Sequence, residues 1–199
     1  MKKLDDNGMK RLVLDLRNNS GGFLEQAAEI ANMFIATRDT LVYTMGKHNN
    51  TNEVFLAKPS KGREDFPLII LLNRGSASAS EIVAGAVQDL DRGLIVGETS
   101  FGKGACAATI WTKGWICFRV SIARYYTPSG RLIQRPFEDG NTRQYYAELY
   151  EQNRETIIDS LNEFRPKFKT RKEGQFMGEA VLRPMNYTLG VNLQKRHKN

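Results

Sequence analysis

Two short stretches of this sequence hold side chains suited to nucleophilic chemistry. The first is Ser76-Ala77-Ser78-Ala79-Ser80-Glu81, a run of small residues between an apolar strand-like segment and a helical one. A serine placed there stands at a helix N-terminus, where N–H groups and the helix dipole favour a developing oxyanion. Serine is also a good helix N-cap, and Ser80 ahead of Ile82-Val83 could serve as that alone. The second stretch is Gly102-Lys103-Gly104. Flanking glycines let the chain bend tightly and carry the amine inward. A buried lysine loses charge because desolvation disfavours the ammonium form, by up to about 3–5 pKa units. The neutral amine can then take a serine proton. This pattern predicts a largely buried Lys103, although a Gly-Lys-Gly tripeptide by itself is more often a solvated turn. A third feature, Gly21-Gly22, follows a strand-like segment and opens a helical one. Its N–H groups could line an oxyanion site, or the glycines could simply serve a tight turn.

Other chemistries are poorly supplied. Gly97-Glu-Thr-Ser-Phe-Gly102-Lys103 has the spacing of a phosphate loop, but Gly104 stands where a hydroxyl must hold magnesium. The two histidines, His48 and His197, lie in polar stretches, which argues against a histidine-based triad. Neither Cys106 nor Cys117 is flanked by metal-ligand spacing, so neither a metal site nor a cofactor is expected. The two cysteines could face each other on a hairpin or be free thiols, and free thiols are the favoured reading.

The elements that must position these groups alternate. Residues 10–16 read as a buried strand, 17–22 as a turn, and 24–35 as a helix with apolar residues at helical spacing. Short strands follow at 41–44 and 54–56, then a strong one at 68–72, the small-residue turn, a helix over 81–90 and a strand at 94–96. Residues 105–111 and 115–126 form a hairpin, and 142–163 a helix that Arg165-Pro166 ends. Strands alternating with helices through glycine-rich turns indicate an α/β fold. In such folds reactive groups sit at the carboxyl ends of the strands, which selects the loops 17–22, 73–80 and 97–104.

The composition is that of a globular chain, with 41% apolar and 26% charged residues. Nine Lys/Arg and two Asp/Glu lie in residues 164–199, so the whole +7 net charge resides there and the rest is neutral. A basic tail differs from a basic domain. Without a nucleic-acid motif it reads as a solvated, loosely packed segment after about residue 165, not as a nucleic-acid interface. No apolar run reaches the roughly 18–20 residues that span a bilayer. The start has no apolar stretch of signal-peptide type.

Taken in order, five motifs closely resemble the C-terminal processing (tail-specific) peptidases: Leu14-Asp-Leu-Arg-Asn-Asn-Ser-Gly-Gly22, Ser76-Ala-Ser-Ala-Ser-Glu-Ile82, Gln88-Asp89, Gly97-Glu98 with Phe101-Gly-Lys-Gly104, and Ala123-Arg-Tyr-Tyr-Thr-Pro-Ser-Gly130. The likeness runs from about residue 10 to 136. It implies a β/α spiral core of the ClpP/crotonase-like type, with a C-terminal helix and a basic tail. It also implies a serine endopeptidase using a Ser–Lys dyad, with Ser78 as nucleophile and Lys103 as general base. The implied oxyanion hole is formed by backbone N–H groups of Gly21, Gly22 and Ala79. Arg17, Glu81 and Asp89 match supporting positions and are expected to hold the loops by ion pairs and hydrogen bonds. The implied partner is a protein or peptide substrate with an apolar C-terminus, in the periplasm or cell envelope.

The match departs in places. Four residues after the lysine the family carries a glutamine that orients the amine, and here that position is Ala107. The family's PDZ domain and first core strands have no counterpart ahead of the Leu-Asp-Leu-Arg motif, and residues 175–187 only faintly echo a glycine-rich stretch of some relatives. The chain therefore reads as an N-terminally incomplete core over 1–164 with a tail over 165–199. A catalytically weak or inactive peptide-binding module of the same fold is the alternative to an active enzyme.

Overall fold

A computed structural model describes residues 1–35, 38–59, 66–111, 117–137, 141–162, 167–172, 175–177 and 182. A short helix α1 (Lys2–Asp6) precedes strand β1 (Leu12–Asp15) and helix α2 (Leu24–Asn32). Strands β2 (Thr40–Gly46), β3 (Glu53–Leu56) and β4 (Leu68–Leu72) follow, then helix α3 (Ala79–Asp89) and strand β5 (Leu94–Gly97). Next come β6 (Ala105–Trp111), β7 (Cys117–Tyr126), α4 (Thr142–Ala147), α5 (Arg154–Asn162), β8 (Lys167–Lys169) and β9 (Gln175–Met177).

The apolar runs at β1, β4 and β5 form a parallel sheet in the order β1-β4-β5. Its register pairs Asp15 with Leu71, and Leu72 with Gly97, so the three carboxyl ends lie along one rim. A second sheet, antiparallel and ordered β3-β2-β7-β6, completes the mixed α/β architecture the sequence predicts.

Helix α3 is apolar nearly all round, and every residue from Ser80 to Asp89 is buried. Such a helix belongs in a core. It packs on α2, and Ala27, Ala28 and Ala31 share one buried cluster with Val83, Ala84 and Ala86. Ile70, Leu72, Ile82 and Ile95 sit at 0–2% exposure in the same cluster. Burying each is worth about 1.5–3 kcal/mol, which fixes the rim above which the site loops emerge.

Two expectations are corrected. The helix foreseen over 142–163 is two helices. Glu151 adopts an extended conformation (ψ 136°) after a short 3-10 turn, and the chain restarts as α5 at Arg154. The break lets the Arg154 guanidinium reach the carbonyls of Thr99 and Ser100, at 2.8 and 2.6 Å. The tail foreseen as loose after about 165 makes specific contacts at Thr170 and Leu182, while the side chains of Lys167, Lys169, Arg171 and Lys172 are exposed. β8 and β9 pair as a hairpin, and Thr170 is buried. The Arg171 N–H donates to the Asp89 carbonyl (2.9 Å), and the Lys172 N–H to Asp91 Oδ2 (2.6 Å). These donors satisfy acceptors at the C-terminal end of α3, which composition alone does not reveal. Leu182 is fully buried in the core. The Arg165-Pro166 stop and the hairpin turn at 112–114 lie outside the described residues.

Candidate active site

The loop after β4 turns sharply into α3, and Ser78 occupies the turn with φ 55° and ψ −116°. Positive φ is rare for a residue with a Cβ and costs on the order of 1–3 kcal/mol, so the surroundings must impose it. They do so in two ways. Glu81 Oε2 accepts the Ser78 N–H at 2.8 Å, while the Glu81 N–H donates to the Ser78 carbonyl at 2.9 Å. Gly21, itself at φ 94°, lies against the turn. A Cβ on it would sit 2.6 Å from the Ala77 oxygen and from Ala79 N, and 2.8 Å from Ser78 Cβ. Only glycine fits there.

The three serines of the run separate by role. Ser76 Oγ donates to the Leu16 carbonyl (2.8 Å) and Ser80 Oγ to the Asn19 carbonyl (3.0 Å), so both tie α3 to the loop after β1. Ser78 sends its hydroxyl to neither carbonyl and is only half-buried. The N-cap position belongs to Ser78, not to Ser80.

The Gly21-Gly22 turn reaches the same place from β1. The Gly21 N–H donates to Asn19 Oδ1 at 2.9 Å. Among the described residues the N–H groups of Gly22 and Ala79 meet no acceptor. Asn18, at φ 58°, and Asn73 hold this loop to the β4 loop: the Asn18 N–H donates to Asn73 Oδ1, and Asn73 Nδ2 to Asn18 Oδ1, each at 2.9 Å. Asn tolerates the left-handed region, so the Asn18-Asn19 pair was the sequence signal for this brace.

Lys103 follows β5. Its backbone is held firmly: the Gly102 N–H donates to Glu81 Oε1 (2.7 Å), the Lys103 N–H to Glu81 Oε2 (2.9 Å), and the Gly104 N–H to Gln134 Oε1 (3.1 Å). The expectation of a largely buried Lys103 is corrected, because its side chain is exposed. The buried residues are its neighbours Gly102 and Gly104, whose amides face Glu81 and Gln134. That packing leaves the lysine on the outer side of the turn. Among the described residues no hydrogen bond joins Lys103 Nζ to Ser78 Oγ. Ala107 lies on β6, exposed and opposite Ser121 of β7.

Glu81 is the hub. It is fully buried, and four donors converge on it, the fourth being Ser100 Oγ at 2.5 Å. Burial pushes its carboxyl above the usual range, against the downward pull of those hydrogen bonds. Asp89 sits further along α3 in a buried ion pair with Arg131 (2.9 Å), and also accepts the Ser129 N–H (3.0 Å). It thus anchors the Thr127–Gly130 turn. Arg131 also donates to Gln88 Oε1 (3.0 Å), and burial lowers its pKa. Arg17 pairs with Asp15 across the exposed end of β1 (2.7 Å). Both cysteines are free thiols, Cys106 opposite Ala123 and Cys117 opposite Trp111 in the β6–β7 register. The roles of Ser100, Gln134 and Arg131 had no sequence signal, because each acts through a partner distant in the chain.

This architecture is shared with solved proteases. The photosystem II D1 C-terminal processing protease matches at 38% identity with a TM-score of 0.60, over 66% of this chain and 34% of that one. A putative S41 protease from Bacteroides fragilis has the same fold at 15% identity, with a TM-score of 0.57 over 80% of this chain and 45% of that one. Residues 1–158 match Peptidase family S41, and the chain belongs to that family. Among its relatives are the carboxy-terminal-processing protease of Bartonella bacilliformis, 44% identical over 132 residues, and the carboxyl-terminal-processing protease of a Synechocystis strain, 40% identical over 135. These matches cover 66% and 68% of this chain but only 30% and 31% of those proteins, so the chain spans about a third of their length.

Proposed function

We propose that this chain carries the catalytic core of a serine endopeptidase that cleaves protein or peptide substrates near their C-termini through a Ser78–Lys103 dyad. The observation that supports it most is the elbow at Ser78, strained to φ 55°, pressed against Gly21 and bracketed to the Lys103 turn by one buried carboxylate. Ser78 Oγ attacks the scissile carbonyl and forms an acyl-enzyme. Lys103 takes the serine proton and hands it to the leaving amine. The N–H groups of Ala79 and Gly22 hold the oxyanion, each donor worth about 2.7–4 kcal/mol in other serine hydrolases. Gly21 contributes the close approach of the turn, since its own N–H is bonded to Asn19. The lysine's flexible four-carbon stem allows it to swing in when substrate arrives, as catalytic contacts that are long in the free enzyme tighten in the complex. The proposal extends to substrates with an apolar C-terminus and to a periplasmic or cell-envelope setting, as the resemblance of the sequence motifs implies.

A second reading, a weak or inactive peptide-binding module, is favoured by the exposed Lys103 and by Ala107 in the place of an orienting glutamine. A fluorophosphonate probe separates the two. Covalent labelling of wild type that is lost in Ser78→Ala supports the enzyme. A wild type that binds extended peptides but is never labelled supports the module.

A further inference from the structure

The Lys103 turn hangs from a chain of hydrogen bonds that begins outside it. Ser100 is fully buried, and its hydroxyl donates to Glu81 Oε1 at 2.5 Å. That hydroxyl has one proton, so its direction is set by what it accepts. It accepts the N–H of Leu182, at 2.9 Å, while the Ser100 N–H donates to the Leu182 carbonyl at 3.0 Å. Leu182 lies 82 positions along the chain from Ser100, fully buried beside Gly85 of α3. The two-way clasp fixes both the backbone and the rotor of Ser100.

We propose that Leu182 is a positioning residue of the site: its backbone clasp aims the Ser100 hydroxyl at Glu81, and so holds the carboxylate on the amides of Ser78, Gly102 and Lys103. The C-terminal stretch then carries part of the active-site framework. Its catalytic consequence rests on the Ser78–Lys103 reading, whereas its effect on the amides does not. The geometry separates the clasp from plain core filling. Proline at 182 has no N–H to give Ser100, and like alanine it lacks the leucine branch that reaches Gly85. Alanine keeps the N–H and loses the bulk.

The test is residue-resolved amide hydrogen exchange on the full chain, with fluorophosphonate labelling of Ser78 alongside. In Leu182→Pro the Gly102 and Lys103 amides should exchange roughly 5- to 10-fold faster than in Leu182→Ala, as for the loss of one net hydrogen bond, while mid-α3 amides exchange alike in the two variants. Leu182→Ala should speed exchange broadly across the core and spare the contrast between the turn and α3. Should the proline variant not fold, Ser100→Ala must loosen the same two amides selectively. Gly102 and Lys103 exchange that is no faster in Leu182→Pro than in Leu182→Ala, or unchanged in Ser100→Ala, overturns the proposal, as does an alanine variant that loosens the turn more selectively than the proline one. A wild type that is never labelled sinks the Ser78 reading and leaves the exchange result to decide on Leu182.

Discussion

The backbone N–H groups of Ser78 and Lys103 meet on one atom, Oε2 of Glu81, at 2.8 and 2.9 Å. A residue of the serine elbow and a residue of the lysine turn, which come from the ends of different strands, are thereby held in a fixed relation by a carboxylate that never faces solvent.

Replacing that carboxylate tests the bracket. Glu81→Gln keeps one acceptor oxygen and places an NH2 against two N–H donors. Each buried donor left without an acceptor costs about 1–3 kcal/mol. Thermal unfolding should show a loss of about 2–4 kcal/mol, and Ser78 labelling should fall with it. A variant with wild-type stability and labelling removes Glu81 from the account.

Gly21→Ala probes the close approach. The new Cβ meets the Ala77 oxygen and Ala79 N at 2.6 Å, and its φ of 94° disfavours any side chain. Labelling of Ser78 should drop by at least an order of magnitude, with a stability loss of at least about 1 kcal/mol. Full reactivity in this variant contradicts the packing of the elbow against the glycine turn.

The buried pair of Asp89 and Arg131 should behave asymmetrically. Asp89→Asn removes the charge paired with the buried guanidinium and should cost about 3–5 kcal/mol in urea unfolding. The double change Asp89→Leu with Arg131→Met should recover much of that. A single variant within 1 kcal/mol of wild type shows that the turn at Thr127–Gly130 is anchored by other means.

Asp15 offers a pH test. Its hydrogen bonds from the Arg17 side chain hold its carboxyl down at about 2. A depressed folded-state pKa contributes stability that is present above the unfolded value of 3.8 and is lost as pH falls through about 2. An NMR titration of Asp15 should show its midpoint near 2, moving toward 3.8 in Arg17→Gln and in high salt, since the pair is exposed. A midpoint already at 3.8 in wild type rules out the pairing.

Much of this was legible in the sequence, because the features involved are local. Leu68–Leu72 followed by small residues and an apolar helix fixes a strand, an elbow and α3 in order, and the carboxyl-end rule then gathers the loops holding Gly21, Ser78 and Lys103. What was not legible depends on residues far apart. The exposure of Lys103 is decided by Glu81 and Gln134 drawing in the amides of its glycine neighbours. The Gly21 amide is taken by a side chain two residues away, a choice of rotamer that composition does not record. Leu182 closes a short apolar run, Ala180-Val181-Leu182, and nothing in that run tells which of its residues reaches the core. The break before Arg154 exists for the sake of the carbonyls at 99 and 100, which periodicity along 142–163 does not include.

The base is the point on which the mechanism turns, and the acylation rate of Ser78 in Lys103→Ala measures it. In the proposed dyad nucleophile and base act as one unit, so Ser78→Ala and Lys103→Ala should each remove most turnover, with the double variant little worse than either. Lys103→Arg should fail as well, because a guanidinium stays protonated. Glutamine introduced at Ala107 should raise the rate if the amine gains an orienting partner. The account predicts that Lys103→Ala acylates with a fluorophosphonate at least about a hundredfold more slowly than wild type, the scale of lost general-base assistance. Acylation of Lys103→Ala at the wild-type rate, with Ser78→Ala inert, would contradict it and require another base.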